Sequence, residues 1–255
     1  MFPQCPKCSH APLPREQAFP VACPGCGVIL AKIGASVSRA PLVSSEGTPE
    51  EAISERVSGM LSLLTHVPER VDAIRFWGRV ALLGFFALWG LYLIWLDHRT
   101  GEIGASFIHR PLLIFHEAGH VIFRLFGEWM MVAGGTLMQL IMPLVLAGAL
   151  LLKNRDPFGA SIGLWFFGVS VLDVAPYVYD AKEPVLTLLG GQTGEEGGHD
   201  WIYLLSSMGL LAKSQGIGWI VHKVGALVLL IALAWGAWLL NAQRRNLAGD
   251  VLDEA

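Results

Sequence analysis

Charge is what this chain has least of. Asp, Glu, Lys and Arg make up only 15% of its 255 residues, well under the quarter or so that soluble domains carry. That shortage argues against a soluble globular enzyme. Positive charge is not in excess either. The formal net charge is -3, which suggests no nucleic-acid partner. Cysteine stops early, with the last of four at Cys26, so disulfides are not the framework of the whole chain. The opening "MFPQCPKCSH" lacks a basic region leading into an apolar core. No secretory signal is therefore expected, and the N-terminus is expected to stay in the cytosol. No internal repeat is visible.

Apolar sequence is what the chain has in quantity. Val80–Leu96, Met131–Leu152 and Val224–Leu240 carry no charge over 17, 22 and 17 residues. About 20 apolar residues cross the hydrocarbon layer, so these runs read as membrane spans. Nine tryptophans suit a lipid–water boundary. The expected fold is an all-α polytopic membrane protein with about five to six membrane helices and a small N-terminal metal module. Spans are expected near 80–96, 107–127, 131–152, 158–179 and 217–240, with a short helix near 200–212. The helix near 107–127 is expected to cross fully.

The N-terminal module covers residues 1–33. "CPKC" and "CPGC" place Cys5, Cys8, Cys23 and Cys26 as two CxxC pairs with 14 residues between them. Each pair offers two sulfurs from one tight turn, and four thiolates can close a tetrahedral zinc site. The segment has too few apolar residues to fold by burial, so a structural Zn2+ must stabilise it. A redox pair or disulfides are the alternative. The module resembles a zinc ribbon. Its few basic residues, Lys7, Arg15 and Lys32, disfavour DNA or RNA and leave a protein partner.

Residues 34–68 read as a linker, within which "EEAISERVSGMLSLL" can form a short amphipathic helix, on the membrane surface or in solvent. Arg70, Arg75 and Arg79 precede the first span. This basic flank again suggests a cytoplasmic N-terminus, in a cell or inner membrane. Residues 69–245 form the membrane domain, and 246–255 an acidic tail.

Within that domain, "LLIFHEAGHVIFRLF" sets two histidines and a glutamate in a greasy run. On a helix His116 and His120 project from one face. Their nitrogens can bind one zinc ion at about 2.0–2.1 Å. Glu117 stands beside the metal without binding it. Zinc lowers the pKa of its water to about 7, and Glu117 can take the proton and pass it to a leaving amine. Ala118 and Gly119 are small enough to let another backbone come close. Ionisable groups at membrane depth are costly and usually functional. The HExxH pattern therefore points to metal-assisted peptide hydrolysis.

A catalytic zinc usually takes a third protein ligand. "GGQTGEEGGHDWIYLL" offers it, because five glycines within 190–198 permit a bent backbone and lead into His199 and Asp200. Either side chain can complete the site, with Asp200 preferred. Asp200 also suits a helix N-cap, and His199 a surface loop.

HEAGH in a membrane helix, followed by a distant acidic residue after a glycine-rich turn, resembles the site-2 protease family of intramembrane zinc metalloproteases. The resemblance covers roughly residues 107–205. It implies His116, His120 and Asp200 as ligands of a catalytic Zn2+ and Glu117 as base. It implies a membrane protein or peptide as substrate. The family's usual third-ligand segment ends in Leu-Asp-Gly, whereas this chain has Gly-His-Asp-Trp. That difference marks a divergent branch, with the ribbon as an added domain.

Other polar residues interrupt the spans. Asp173 can support a ligand histidine, serve as an alternative third ligand, or simply bind another helix. Gln139 can contact a substrate backbone or another helix. Gly134 and Gly135 suit close helix contact. His222 and Lys223 read as interfacial residues that snorkel. The function expected is an intramembrane zinc metalloprotease. The alternative is a non-catalytic zinc-binding membrane scaffold or metal-handling protein. A transporter is weaker, since no inverted pair of broken helices is visible.

Overall fold

The computed structural model describes residues 4–5, 7–13, 22–27, 49–68 and 71–252. The linker segment 34–48, Arg15, Lys32, Arg70 and the last three tail residues lie outside the described residues. The chain divides into two compact units, Met1–Arg56 and Val57–Ala255. No strand forms among the described residues.

Among the described residues seven α-helices follow in order: α1 Pro49–Leu64, α2 Ala73–Trp95, α3 His109–Phe123, α4 Glu128–Gly148, α5 Pro157–Asp180, α6 Asp200–Ser207 and α7 Ser214–Leu252. Four helical stretches among the described residues are long and apolar enough to cross a membrane: Ala73–Trp95, Glu128–Lys153, Pro157–Asp180 and Leu211–Leu247. They fit an integral membrane protein. Their outward side chains, among them Phe85, Leu88, Leu146, Leu227 and Ile231, are exposed, as lipid-facing residues must be in a bilayer.

The count differs from the five to six helices expected. Helix α3, which carries HEAGH, has 15 residues and rises about 22 Å, short of a hydrocarbon layer of about 30 Å. Helix α6 has eight residues and is shorter still. The HEAGH helix is not among the four stretches long and apolar enough to cross a membrane. Phe107 and Ile108 precede α3, and a 3-10 turn at Arg124–Phe126 ends it.

Helix α2 also starts earlier than its charge-free run. Asp72 caps it by accepting the Arg75 N–H at 3.0 Å, so Arg75 and Arg79 lie inside the helix rather than before it. Arg79 pairs with Asp156 at 3.1 Å and lies over the Phe158 ring. That pair ties the first turns of α2 to the start of α5. At the other terminus α7 runs through the acidic segment to Leu252.

Helix α5 is the centre of the bundle, with 72% of its apolar window inside the protein. Phe86, Leu93, Trp165, Val169, Leu172 and Leu229 form the main core. Gly168 and Gly225 let α5 and α7 touch backbone to backbone, since a Cβ on Gly168 would stand 2.9 Å from the Leu229 nitrogen. His222 is not on the surface. It is buried and stacks on His98, with ring centroids 4.6 Å apart.

Candidate metal centre

Helices α3 and α4 form a tight hairpin. Gly119 and Gly134 sit at the contact, where a Cβ on Gly119 would run into the Gly134 carbonyl. This closeness brings α4 against the histidine face of α3. His116 and His120 are one helical turn apart, with rings 4.8 Å between centroids.

Each histidine has its Nδ1 engaged. His116 Nδ1 donates to Gln139 Oε1 at 3.2 Å. His120 Nδ1 donates to the Met131 carbonyl at 2.9 Å. Both acceptors can only accept, so they place the proton on Nδ1 and leave each Nε2 lone pair free. That is the tautomer a metal needs.

Both Nε2 atoms face one carboxylate oxygen. Asp200 Oδ2 lies 2.9 Å from His116 Nε2 and 3.4 Å from His120 Nε2. Ligands on tetrahedral zinc at about 2.0–2.1 Å stand about 3.3 Å from each other. One ligand atom from each of the three residues lies within 4.8 Å of the others. Gly135 faces the same point, where a Cβ would stand 2.6 Å from each Nε2. The missing side chain leaves room for an ion, so the donor set and the space both fit zinc.

The structure brings Asp200, and not His199, to the imidazoles. The reason is local. Gly197 and Gly198 have φ of +106° and +80°, a region open to glycine, and they turn the chain into α6. His199 takes the cap, its Nδ1 accepting the Ile202 N–H at 3.3 Å. Asp200 becomes the first helical residue, and its carboxylate is released towards α3. His199 Nε2 instead faces Asp180 Oδ2 at 3.3 Å, both side chains buried. His199 as a ligand is therefore corrected.

Asp173 and Gln139 continue the network inward. Gln139 Nε2 donates to Asp173 Oδ2 at 2.9 Å. Asp173 Oδ1 pairs with His109 Nδ1, also at 2.9 Å. A polar chain thus runs from Asp200 through His116, Gln139 and Asp173 to His109. Asp173 does not reach the candidate metal position, so it supports a histidine rather than replacing one.

Glu117 is exposed and lines a cavity of about 1050 Å³ together with His116, His120 and Asp200. Leu186, Leu188 and Leu189 form an apolar wall of this cavity. Two residues beyond the sequence-based set also line it. His109 stands seven residues before His116, on the same helical face. Tyr177 stands four after Asp173, and Asp180 seven after it, again on one face. That periodicity is the signal that could have found them.

The N-terminal cysteines gather separately. Cys5 Sγ lies 3.7 Å from Cys26 Sγ, and Cys8 Sγ lies 3.7 Å from Cys23 Sγ. All four are free thiols within 4.8 Å of one another. Zn–S bonds of about 2.3 Å set tetrahedral sulfurs about 3.8 Å apart. The Cys5 carbonyl accepts the Ser9 N–H and the Cys23 carbonyl accepts the Gly27 N–H, each at 2.8 Å. Each CxxC pair is thereby closed into a tight turn.

Comparison with family models, with curated proteins and with solved structures gives no significant match.

Proposed function

We propose that this chain is an intramembrane zinc metalloprotease, a divergent relative of the site-2 protease family. The observation that carries the reading is the meeting of His116 Nε2, His120 Nε2 and Asp200 Oδ2 beside Glu117 in a single cavity.

His116, His120 and Asp200 would hold a zinc ion, which would supply a Lewis acid and ease ionisation of a water near pH 7. Glu117 takes the proton of the attacking water and delivers it to the leaving amine. Met131 and Gln139 fix the two imidazoles. The leucines at 186, 188 and 189 offer an apolar wall to an unwound segment of a membrane protein or peptide. Cys5, Cys8, Cys23 and Cys26 hold a second, structural zinc in a ribbon-like module. That module faces the cytoplasm and recruits a protein partner, not nucleic acid.

Glu117→Gln tests the proposal in the full chain. The variant keeps both zincs and loses cleavage of an unfolded polypeptide such as labelled casein. Unchanged function in this variant would turn the reading towards a zinc-holding scaffold or metal carrier.

A further inference from the structure

Tyr177 uses only half of its hydroxyl. The oxygen accepts the Asp200 backbone N–H at 3.0 Å. Its own proton meets no acceptor among the described residues. A largely enclosed phenol normally has both functions satisfied. This one lines the cavity that holds Glu117, His116, His120 and Asp200.

The ring is also held still. The His199 ring packs on it with centroids 4.2 Å apart at 34°. The His116 ring meets it edge-on at 6.1 Å. His199 is itself fixed between the Ile202 N–H and Asp180. A donor clamped on both sides, next to a ligand carboxylate and open to the cavity, is built before any substrate arrives. Such preorganisation is what stabilises charge developing in a transition state.

We infer that Tyr177 is a catalytic residue that donates a hydrogen bond to the oxyanion formed at the scissile carbonyl. The inference rests on the protease reading above. Water oxygen bonds to the carbonyl carbon, and the C=O π pair moves onto the carbonyl oxygen. Tyr177 O–H donates to that oxygen and keeps its proton. When the C–N bond breaks, the lone pair returns to form C=O, and the amine takes the proton that Glu117 holds. The same hydroxyl oxygen still accepts from Asp200, so one group aligns the ligand residue and stabilises the oxyanion.

The test uses the full chain in detergent, with Tyr177→Phe, labelled casein as substrate and a leucine-derived hydroxamate as inhibitor. The hydroxamate oxygen stands in for the oxyanion. Expected are two zincs per chain, KM within about twofold of wild type, and kcat down by about 10²–10³, as for loss of one oxyanion donor. Hydroxamate affinity falls at least about tenfold in parallel. Wild-type kcat in a zinc-loaded Tyr177→Phe protein overturns the inference and leaves the protease reading standing. Loss of the membrane zinc in Tyr177→Phe overturns it too, because the phenol would then act only through Asp200. A wild-type protein with no second zinc and no cleavage overturns both.

Discussion

Gly135 faces the point where His116 and His120 converge, and a Cβ placed there would lie 2.6 Å from the Nε2 of each. Helix α4 is therefore more than a packing partner of α3. It closes one side of the candidate metal site with an absent side chain. Gly135→Ala replaces no ligand residue, yet it drives a methyl group against both imidazole nitrogens, into the space an ion would take. Two zincs per chain are expected to fall to one, with the cysteine-bound zinc retained. Metal analysis of the purified variant checks this. Full occupancy would mean that the ion sits elsewhere.

Asp173 governs the orientation of the Gln139 amide. Its carboxylate accepts from Gln139 Nε2, which turns Oε1 towards His116 Nδ1. With Asp173→Asn that constraint weakens, because an amide can both donate and accept. A flipped Gln139 would oppose the tautomer that frees His116 Nε2. Zinc affinity at the membrane site is expected to fall about 10–100-fold, the usual scale for groups that orient a ligand histidine. Competition with a fluorescent chelator measures it. Affinity equal to wild type would reduce the buried chain to a packing device.

The cysteine module and the membrane site should lose metal independently. Cys5→Ser with Cys26→Ser removes two of four thiolates, and a structural zinc site does not survive that. One zinc should disappear. The second should remain, together with casein cleavage in detergent. The reverse pair, His116→Ala with His120→Ala, should lose the other zinc and all cleavage. Loss of both zincs in either variant would contradict separate sites.

The sequence made the candidate metal ligands on α3 legible because helical periodicity is local. An i, i+4 histidine pair shares a face wherever the helix lies. The CxxC pairs were readable for the same reason. The third ligand was readable only to within two residues. His199 and Asp200 are neighbours at a helix start, and either one can cap it. The backbone turn at Gly197 and Gly198 assigns the cap to His199; the glycines announce a turn, but not which of the two residues it leaves at the cap. Asp173 and Gln139 stood out as polar breaks in apolar spans, but their pairing depends on how α4 meets α5. His109 and Tyr177 were missed because each reads as an ordinary residue until its face is set against His116 or Asp173. The HEAGH segment is not among the four candidate spans because a hydropathic run does not reveal that α3 ends in a 3-10 turn after 15 residues.

His199 offers the sharpest contrast between supporting a site and belonging to it. Its Nδ1 accepts the Ile202 N–H, so its proton sits on Nε2, facing the buried Asp180 carboxylate at 3.3 Å. Asp180 keeps two other donors, the N–H groups of Val185 and Leu186. His199→Ala therefore removes a cap worth about 1 kcal/mol and the imidazole that packs 3.3 Å from Asp180 Oδ2 without hydrogen-bonding it. His199→Asn restores the cap but not the packed ring, so it should recover about 1 kcal/mol of that loss. Thermal unfolding in detergent should rank the proteins as wild type, then Asn, then Ala. At saturating zinc both variants should still bind the membrane-site ion, since Asp200 supplies the ligand. Zinc loss in both variants with unfolding temperatures unchanged would instead make His199 the third ligand and overturn the assignment of Asp200.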